Sequence, residues 1–246
     1  MKKLFVVIGA AFILLSCDKE AVVEPKQSLV STSADIRTAK VNKQEIQTLI
    51  RSWAEWVYGR NSSVAPFLDP NGSLQDLNQP FTSGVFMLGG GSSPEPVTRT
   101  VTISLSQYQF VFVPLVVLTG FFNQCIPGSY PNNPEAYFQS QFKEGLNGPK
   151  DLTLLWDDVS LLSTKQKDAR TNSGLFNFHV DPSYFFESNQ CLEDFKSLSV
   201  VYADGYWAKI PLTLGTHTLT VGGNFDLRRF KYEFSNMVNY TIHVVE

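Results

Sequence analysis

Three aspartates and one histidine are the side chains in this sequence that could carry out hydrolysis. Asp157 and Asp158 follow the apolar run LTLLW, and Asp204 stands inside YADGYW. Glycoside hydrolysis uses two carboxylates that face each other across a cleft, and a neighbouring histidine can act as a general base. His217 has the same alternating parity as the apolar residues of HTLTVGG, so we expect it to point inward or to lie at the rim of a sheet. The alternative roles are structural, namely turn formation by the aspartates and a hydrogen-bonded histidine.

Other patterns that often carry chemistry are incomplete. The run GGGSSPEP contains Ser92 and Ser93 but lacks the strand-to-helix turn of a hydrolase nucleophile. The stretch DPNGSLQD, from Asp69 to Asp76, offers oxygen ligands for calcium, yet the glycine and terminal glutamate of an EF-hand loop are out of place or absent. An ordinary Asx-rich turn is the favoured interpretation there. No pair of histidines has metal-ligand spacing on a helix, so we predict no metal. Because none of these patterns is complete, we also predict no catalytic residue and no cofactor.

The first of the three cysteines stands directly behind an apolar run. Met1-Lys2-Lys3 is a positive head and residues 4–15 are apolar, which is typical of a secretory leader and too short for a membrane span. The ending Leu-Leu-Ser-Cys17 resembles the lipobox of bacterial lipoproteins, in which the chain is cleaved before the cysteine and its thiol is acylated. The resemblance implies that residues 1–16 are removed and that Cys17 holds the chain on a lipid membrane. A plain secretory leader with an incidental cysteine is the alternative.

Two cysteines remain in a compartment outside the cytoplasm, where disulfides form. We predict that Cys125 and Cys191 pair, which would stabilise the fold by roughly 4 kcal/mol through loop-closure entropy. Two buried free thiols are the alternative, because a sequence does not show whether the side chains can meet.

The formal charge bears on possible partners, and the composition and length of the chain predict its domain organisation. Loss of Lys2 and Lys3 with the leader takes the formal charge from −3 to about −5, which gives no electrostatic reason to expect a nucleic-acid partner. Residues 17–40 lack hydrophobic periodicity and are rich in polar residues, so we interpret them as a lipidated flexible tether. Residues 41–246 have the length of one domain of the larger all-β kind.

Two segments have helical patterns. In NKQEIQTLIRSWAEWVYG, Asn42 is a suitable N-cap and Gly59 a suitable end, and the apolar residues recur on one face, with Trp53 near its centre and Trp56 at its edge. NPEAYFQSQFKEGLNG reads as a short helix on a connection that ends before Gly145.

Strand patterns dominate the rest of the domain. VTRTVTISL and VNYTIHVV alternate apolar and polar residues, FVFVPLVVL is continuously apolar with Pro114 marking a bulge or edge, and Asp204-Gly205 has the sequence of a hairpin turn. His179 and His243 fall on polar parity and are expected to be solvated. We predict a mainly β fold, a single antiparallel β-sandwich of jelly-roll or Ig-like type, with one N-terminal amphipathic helix and a short helix on a connection.

Several blocks together resemble a group of exported bacterial proteins of unassigned function. These blocks are SWAEWVYG, FLDPNGS, SGVFMLGG, TRTVTISL, FVFVPL, ADGYWAKIPLTLGTHTLTVGG and VNYTIHVV. The chain departs from the group after TVTI, where SLSQYQ replaces an expected Pro-Ala-Gly turn. The resemblance implies one exported domain and supplies no mechanism.

The expected function follows from this combination. We interpret the chain as a lipoprotein of the bacterial cell envelope, anchored to a membrane, with the outer membrane favoured, and as a non-catalytic sandwich that binds a carbohydrate or an envelope protein. Its candidate binding residues are Trp56, Asp204, Trp207 and His217. The alternative is a hydrolase acting on an extracellular polysaccharide or peptide.

Overall fold

Two β-sheets and two α-helices form the part of the chain that this computed structural model describes. The described residues are 42–80, 84–93, 95–123, 131–146, 150–162, 170–184, 198–227 and 232–246. They all fall in one compact unit, Ile36–Glu246. Cys17, Cys125 and Cys191 lie outside the described residues, so lipidation and the disulfide stay predictions. Among the residues described, no helix combines the length and the apolar character needed to cross a bilayer.

Helix α1, Lys43–Tyr58, has the ends that its sequence favours. The side chain of Asn42 accepts a hydrogen bond from the Gln44 N–H at 3.0 Å, and the Gly59 N–H donates to the Glu55 carbonyl at 2.8 Å. Helix α2, Pro134–Leu146, is capped by the Asn133 side chain, which accepts from the Ala136 N–H.

The prediction that α2 ends before Gly145 was wrong, because the helix continues through Gly145 and ends at Leu146. Leu146 is fully buried, and its carbonyl accepts a hydrogen bond from the hydroxyl of Tyr206. Tertiary packing therefore extends the last turn of the helix past the glycine.

Eleven strands are described. In chain order they are β1 Val85–Met87, β2 Val97–Ser104, β3 Phe110–Asn123, β4 Lys150–Trp156, β5 Val159–Ser160, β6 Arg170–Asn172, β7 Phe176–Phe178, β8 Ser199–Pro211, β9 Gly215–Leu227, β10 Tyr232–Ser235 and β11 Val238–Val245. The predicted mainly β character is confirmed.

The strands form two sheets. The first has the order β1-β3-β8-β6, with β7 also paired to β8, and the second has the order β2-β11-β9-β4-β5, with β10 also paired to β9. Most pairs are antiparallel, but β1 runs parallel to β3 and β2 runs parallel to β11. The predicted antiparallel pairing therefore holds for most strand pairs but not for β1 with β3 or for β2 with β11. Between β1 and β3 the chain crosses to the second sheet, so no hairpin links the two strands and forces them to be antiparallel.

Two hydrophobic clusters hold these elements together. The inter-sheet core combines residues of both sheets, including Val111, Val113, Ala208, Ile210, Leu219, Val221, Ile242 and Val244. The helix-sheet core lies on the other face of the first sheet, where Ile50, Trp53 and Val57 of α1 pack with Phe112, Val201 and Trp207. Successive residues of β8 alternate between the two clusters, as expected for a strand covered on both faces.

The hairpin predicted at Asp204-Gly205 does not exist, because both residues lie in the middle of β8. A side chain at Gly205 would overlap the carbonyl oxygen of Val116 and lie 2.8 Å from the Cα of Val117. The glycine thus permits close approach to β3, where the register shifts between Pro114 and Val116. This shift confirms the bulge predicted from the proline.

Candidate functional site

His217 and Asp157 are brought together from separate elements. Asp157 is in the β4–β5 turn, where it and Asp158 have positive φ values of 49° and 63°. His217 is near the start of β9, and its Nδ1 lies 2.8 Å from Oδ2 of Asp157. The other oxygen of Asp157 accepts a hydrogen bond from the Thr218 N–H at 2.8 Å. The carboxylate therefore joins the turn to β9 and orients the imidazole.

The second nitrogen of His217 faces Thr213. Nε2 lies 3.1 Å from the threonine hydroxyl and 3.0 Å from its carbonyl oxygen. A neutral ring that donates from Nδ1 to Asp157 would accept from the hydroxyl, whereas a protonated ring would donate to the carbonyl. The ring also stacks on Trp156, with centroids 4.9 Å apart. His217 thus lies at the rim of a sheet, between a hydroxyl and a carboxylate.

Asp204 is buried and paired with a cation. Its carboxylate receives two hydrogen bonds from Arg170, from Nε at 3.1 Å and from Nη2 at 2.8 Å. This hydrogen bonding raises the pKa of Arg170. Asp204 belongs to the first sheet and His217 to the second, so the structure does not combine them with Trp207 into one site.

The two candidate tryptophans are covered by protein. Trp56 is 4% exposed and Trp207 is 5% exposed. The indole of Trp56 donates to the Leu77 carbonyl, while Trp207 donates to the Thr171 carbonyl and stacks on Phe112 with centroids 5.3 Å apart. Sugar stacking needs an exposed ring face, which neither residue offers.

A buried polar cluster around Arg99 was missed in the sequence. Arg99 is 1% exposed and donates to the carbonyls of Asp69, Gly90 and Phe67 and to the hydroxyl of Tyr240. It lies on the inward face of β2. Its parity with the apolar residues of VTRTVTISL was the signal that could have revealed it.

Asp69 is also buried, and its carboxylate is occupied by donors. One oxygen accepts from the N–H groups of Asn71 and Gly72, and the other accepts from the Leu74 N–H and the Gln75 amide. Burial raises the pKa of Asp69, but these hydrogen bonds together lower it below its usual value. This geometry is that of an Asx turn.

A cavity of about 140 Å³ lies between α1 and the glycine-rich segment that follows β1. Its walls combine aromatic rings, a proline, an aliphatic side chain and glycine backbone. The main lining residues are Trp53, Tyr58, Phe67, Pro114, Val117 and Gly89–Gly91, and Ser92 and Asn236 complete the lining. The glycines of the GGGSSPEP run therefore form one wall of a concave site.

No cluster of three or more histidine, cysteine or acidic side chains is arranged to hold a metal within the described part of the chain. Comparison with protein-family models, with curated proteins and with solved structures finds no match.

Proposed function

We propose that the chain is a lipoprotein of the bacterial cell envelope, anchored through acylated Cys17 to the outer membrane, whose domain binds a ligand without catalysis. We further propose that the two sheets form a sandwich of jelly-roll or Ig-like type. The Leu-Leu-Ser-Cys17 ending supports the anchor. The single observation that supports ligand binding is the aromatic-lined cavity beside α1.

The walls of this cavity are fixed by hydrogen bonds. The indole of Trp53 donates to the Leu88 carbonyl at 2.9 Å, and the Gly89 N–H donates to the side chain of Gln75 at 2.8 Å. The Gly90 carbonyl is held by Arg99. The cavity is a cleft that is partly open to solvent, and walls held in place by hydrogen bonds support a pre-formed binding site.

Co-purification tests this function. Val117→Phe and Ser92→Leu would fill the cavity from two sides, and Val245→Phe adds the same ring at a residue that is 45% exposed at the end of β11. Each full-length protein would be purified from bacterial membranes, and its intact mass would be measured by native mass spectrometry. We expect a small non-covalent adduct on the wild type and on Val245→Phe that is absent from both filled variants. An adduct that persists in the filled variants would refute binding in this cavity.

A second candidate function is that of a hydrolase. It is favoured by the hydrogen-bonded series of Thr213, His217 and Asp157. A hydroxyl, an imidazole and a carboxylate in hydrogen-bond sequence can perform acyl transfer. The hydroxyl oxygen would attack a carbonyl carbon as its proton passes to Nε2, and the leaving amine or alcohol would take that proton. Water would then release the acyl group. This chemistry fits a peptide or ester better than a polysaccharide.

Conservative variants separate this candidate from a structural role. Thr213→Val keeps the branched shape but removes the nucleophile, and His217→Gln removes the base. Both should abolish cleavage of a model ester, whereas His243→Gln, at a histidine that contacts Thr216 on the same sheet, should leave it unchanged. Equal, low rates in all four proteins would eliminate the hydrolase.

A further inference from the structure

The size of the cavity restricts what it can hold. Its volume is about 140 Å³. An engineered apolar protein cavity of about 150 Å³ stays dry and binds benzene or xenon. A single six-membered ring or a branched aliphatic group of similar size therefore fits, and a larger ligand would have to leave most of its atoms outside.

The walls favour an apolar occupant. Trp53, Tyr58 and Phe67 contribute rings, with Trp53 and Tyr58 set at 81° and their centroids 6.2 Å apart. Trp53 is only 1% exposed and packs edge-on against Tyr58, so the partly exposed rings of Tyr58 and Phe67 are the aromatic surfaces that a ligand can contact. Burial raises the pKa of Tyr58, as expected for a wall of low polarity.

The charges near the cavity favour a neutral ligand over a cation. Aromatic walls also suit quaternary ammonium groups, but no acidic residue lines this cavity. Two lining carbonyls, those of Phe67 and Gly90, already accept hydrogen bonds from Arg99, and no carboxylate of the described residues forms an ion pair with that arginine. A cation in the cavity would therefore lie near the positive charge of Arg99, while the buried carboxylate of Asp69 beside it is already occupied by four hydrogen-bond donors. Cation–π attraction is smaller than the cost of desolvating an unpaired charge.

Building on the proposed ligand-binding function, we propose that the cavity takes an uncharged, compact apolar group about the size of one six-membered ring. The ring enters between Tyr58 and Phe67 on one side and Pro114 and Val117 on the other. The glycines of Gly89–Gly91 keep the remaining wall free of side chains. The occupant is thus a small neutral hydrocarbon-like ligand or the terminal ring of a longer one.

Benzene and tetramethylammonium are matched probes, since they are similar in size and differ in charge. The mature chain, residues 17–246 with Cys17→Ser and expressed without the leader, would be used, because an unacylated protein without its apolar leader needs no detergent into which benzene could partition. Unfolding would be followed by circular dichroism with each probe. At ten times its dissociation constant, benzene should lower the unfolding equilibrium constant about tenfold, and tetramethylammonium should leave it unchanged.

The variants make the result specific to the cavity. Val117→Phe and Ser92→Leu should each lose the benzene effect, and Val245→Phe should keep it. The use of two filled variants protects the test if one of them fails to fold. A benzene effect that survives in a filled variant, an equal effect of tetramethylammonium, or no effect of benzene on the parent chain would overturn the inference. The proposed function fails separately, if the co-purified adduct persists in the filled variants.

Discussion

Arg99 is a cation that the fold keeps almost completely out of water. Burying a charge is costly unless hydrogen bonds replace its hydration, and here three carbonyls and one hydroxyl do so. The planar guanidinium can reach four acceptors at once, which an ammonium group cannot. Arg99 therefore ties the Asp69 turn and the glycine-rich segment to β2 and β11.

Replacing this arginine should destabilise the fold strongly. Arg99→Met keeps the length of the side chain but leaves buried carbonyls without a donor, so we expect a loss of about 3 kcal/mol in the free energy of unfolding. Arg99→Lys should recover only part of it. Urea denaturation measures the change, and Thr98→Val, on the exposed face of the same strand, serves as the control and should change stability by about 0.5 kcal/mol or less. A similarly small effect of Arg99→Met would contradict this role.

Asp69 should make stability depend on pH. Its folded pKa lies below the usual value, so its contribution is fully present above the unfolded pKa and is lost as the pH falls through the folded pKa. Asp69→Asn should be less stable at neutral pH by about 2 kcal/mol, because its amide group would face the Leu74 N–H. It should also lose stability less steeply between about pH 5 and pH 3. Urea denaturation across this range tests the difference, and Ser73→Ala, an exposed residue of the same loop without a titratable group, should keep the wild-type slope.

The sequence predicted the position of a residue when that position depends on its neighbours in the chain. The rim position of His217 followed from strand parity, and the Asx turn at Asp69 followed from its composition. The partner of His217 did not, because Asp157 is 60 residues away in sequence. Arg99 was overlooked because a charged residue on an inward face is rare, although its parity with Val101 and Ile103 placed it there.

For helices and strands, too, the features that depend on neighbouring residues were predicted, and those that depend on distant residues were not. The caps of α1 and the alternation of β11 are local, and the structure has them as the sequence predicts. Strand partners are long-range. The parallel pairing of β2 with β11 joins strands that are far apart in the sequence, and no turn motif between them predicts it.

The failed hairpin at Asp204-Gly205 shows how tertiary contacts override a turn signal. Tertiary contacts hold both residues in the strand. Asp204 forms an ion pair with Arg170, and the lack of a side chain at Gly205 lets the backbone of β3 approach closely. Gly205→Ala should therefore destabilise the fold by about 1 to 3 kcal/mol, although alanine suits a strand better than glycine. Equilibrium unfolding in urea measures this. A neutral or stabilising effect would contradict the close approach.

At the scale of the whole molecule, the predicted disulfide would add a covalent constraint to the two cores. If Cys125 and Cys191 pair, replacing both with alanine should lower the free energy of unfolding by roughly 4 kcal/mol, because the unfolded chain gains freedom. Reductant should have the same effect on the wild type and none on the double variant. A wild type that is insensitive to reductant would show that the thiols are free.

Membrane attachment is the property on which the proposed location depends. Burial of an acyl chain stabilises by about 0.8 kcal/mol per methylene, so several chains on Cys17 would hold the protein on a bilayer permanently. Cys17→Ser, in a chain whose leader ends in a plain secretory cleavage site so that it is still removed, should move the protein from the membrane fraction to the soluble fraction, whereas Cys125→Ser, an equivalent loss of a thiol, should leave it on the membrane. The intact mass of the wild type should correspond to a chain that begins at residue 17 and carries fatty acid. A mature chain that begins elsewhere, or that lacks the lipid, would remove the anchor but would leave the proposal for the cavity beside α1 to its own test.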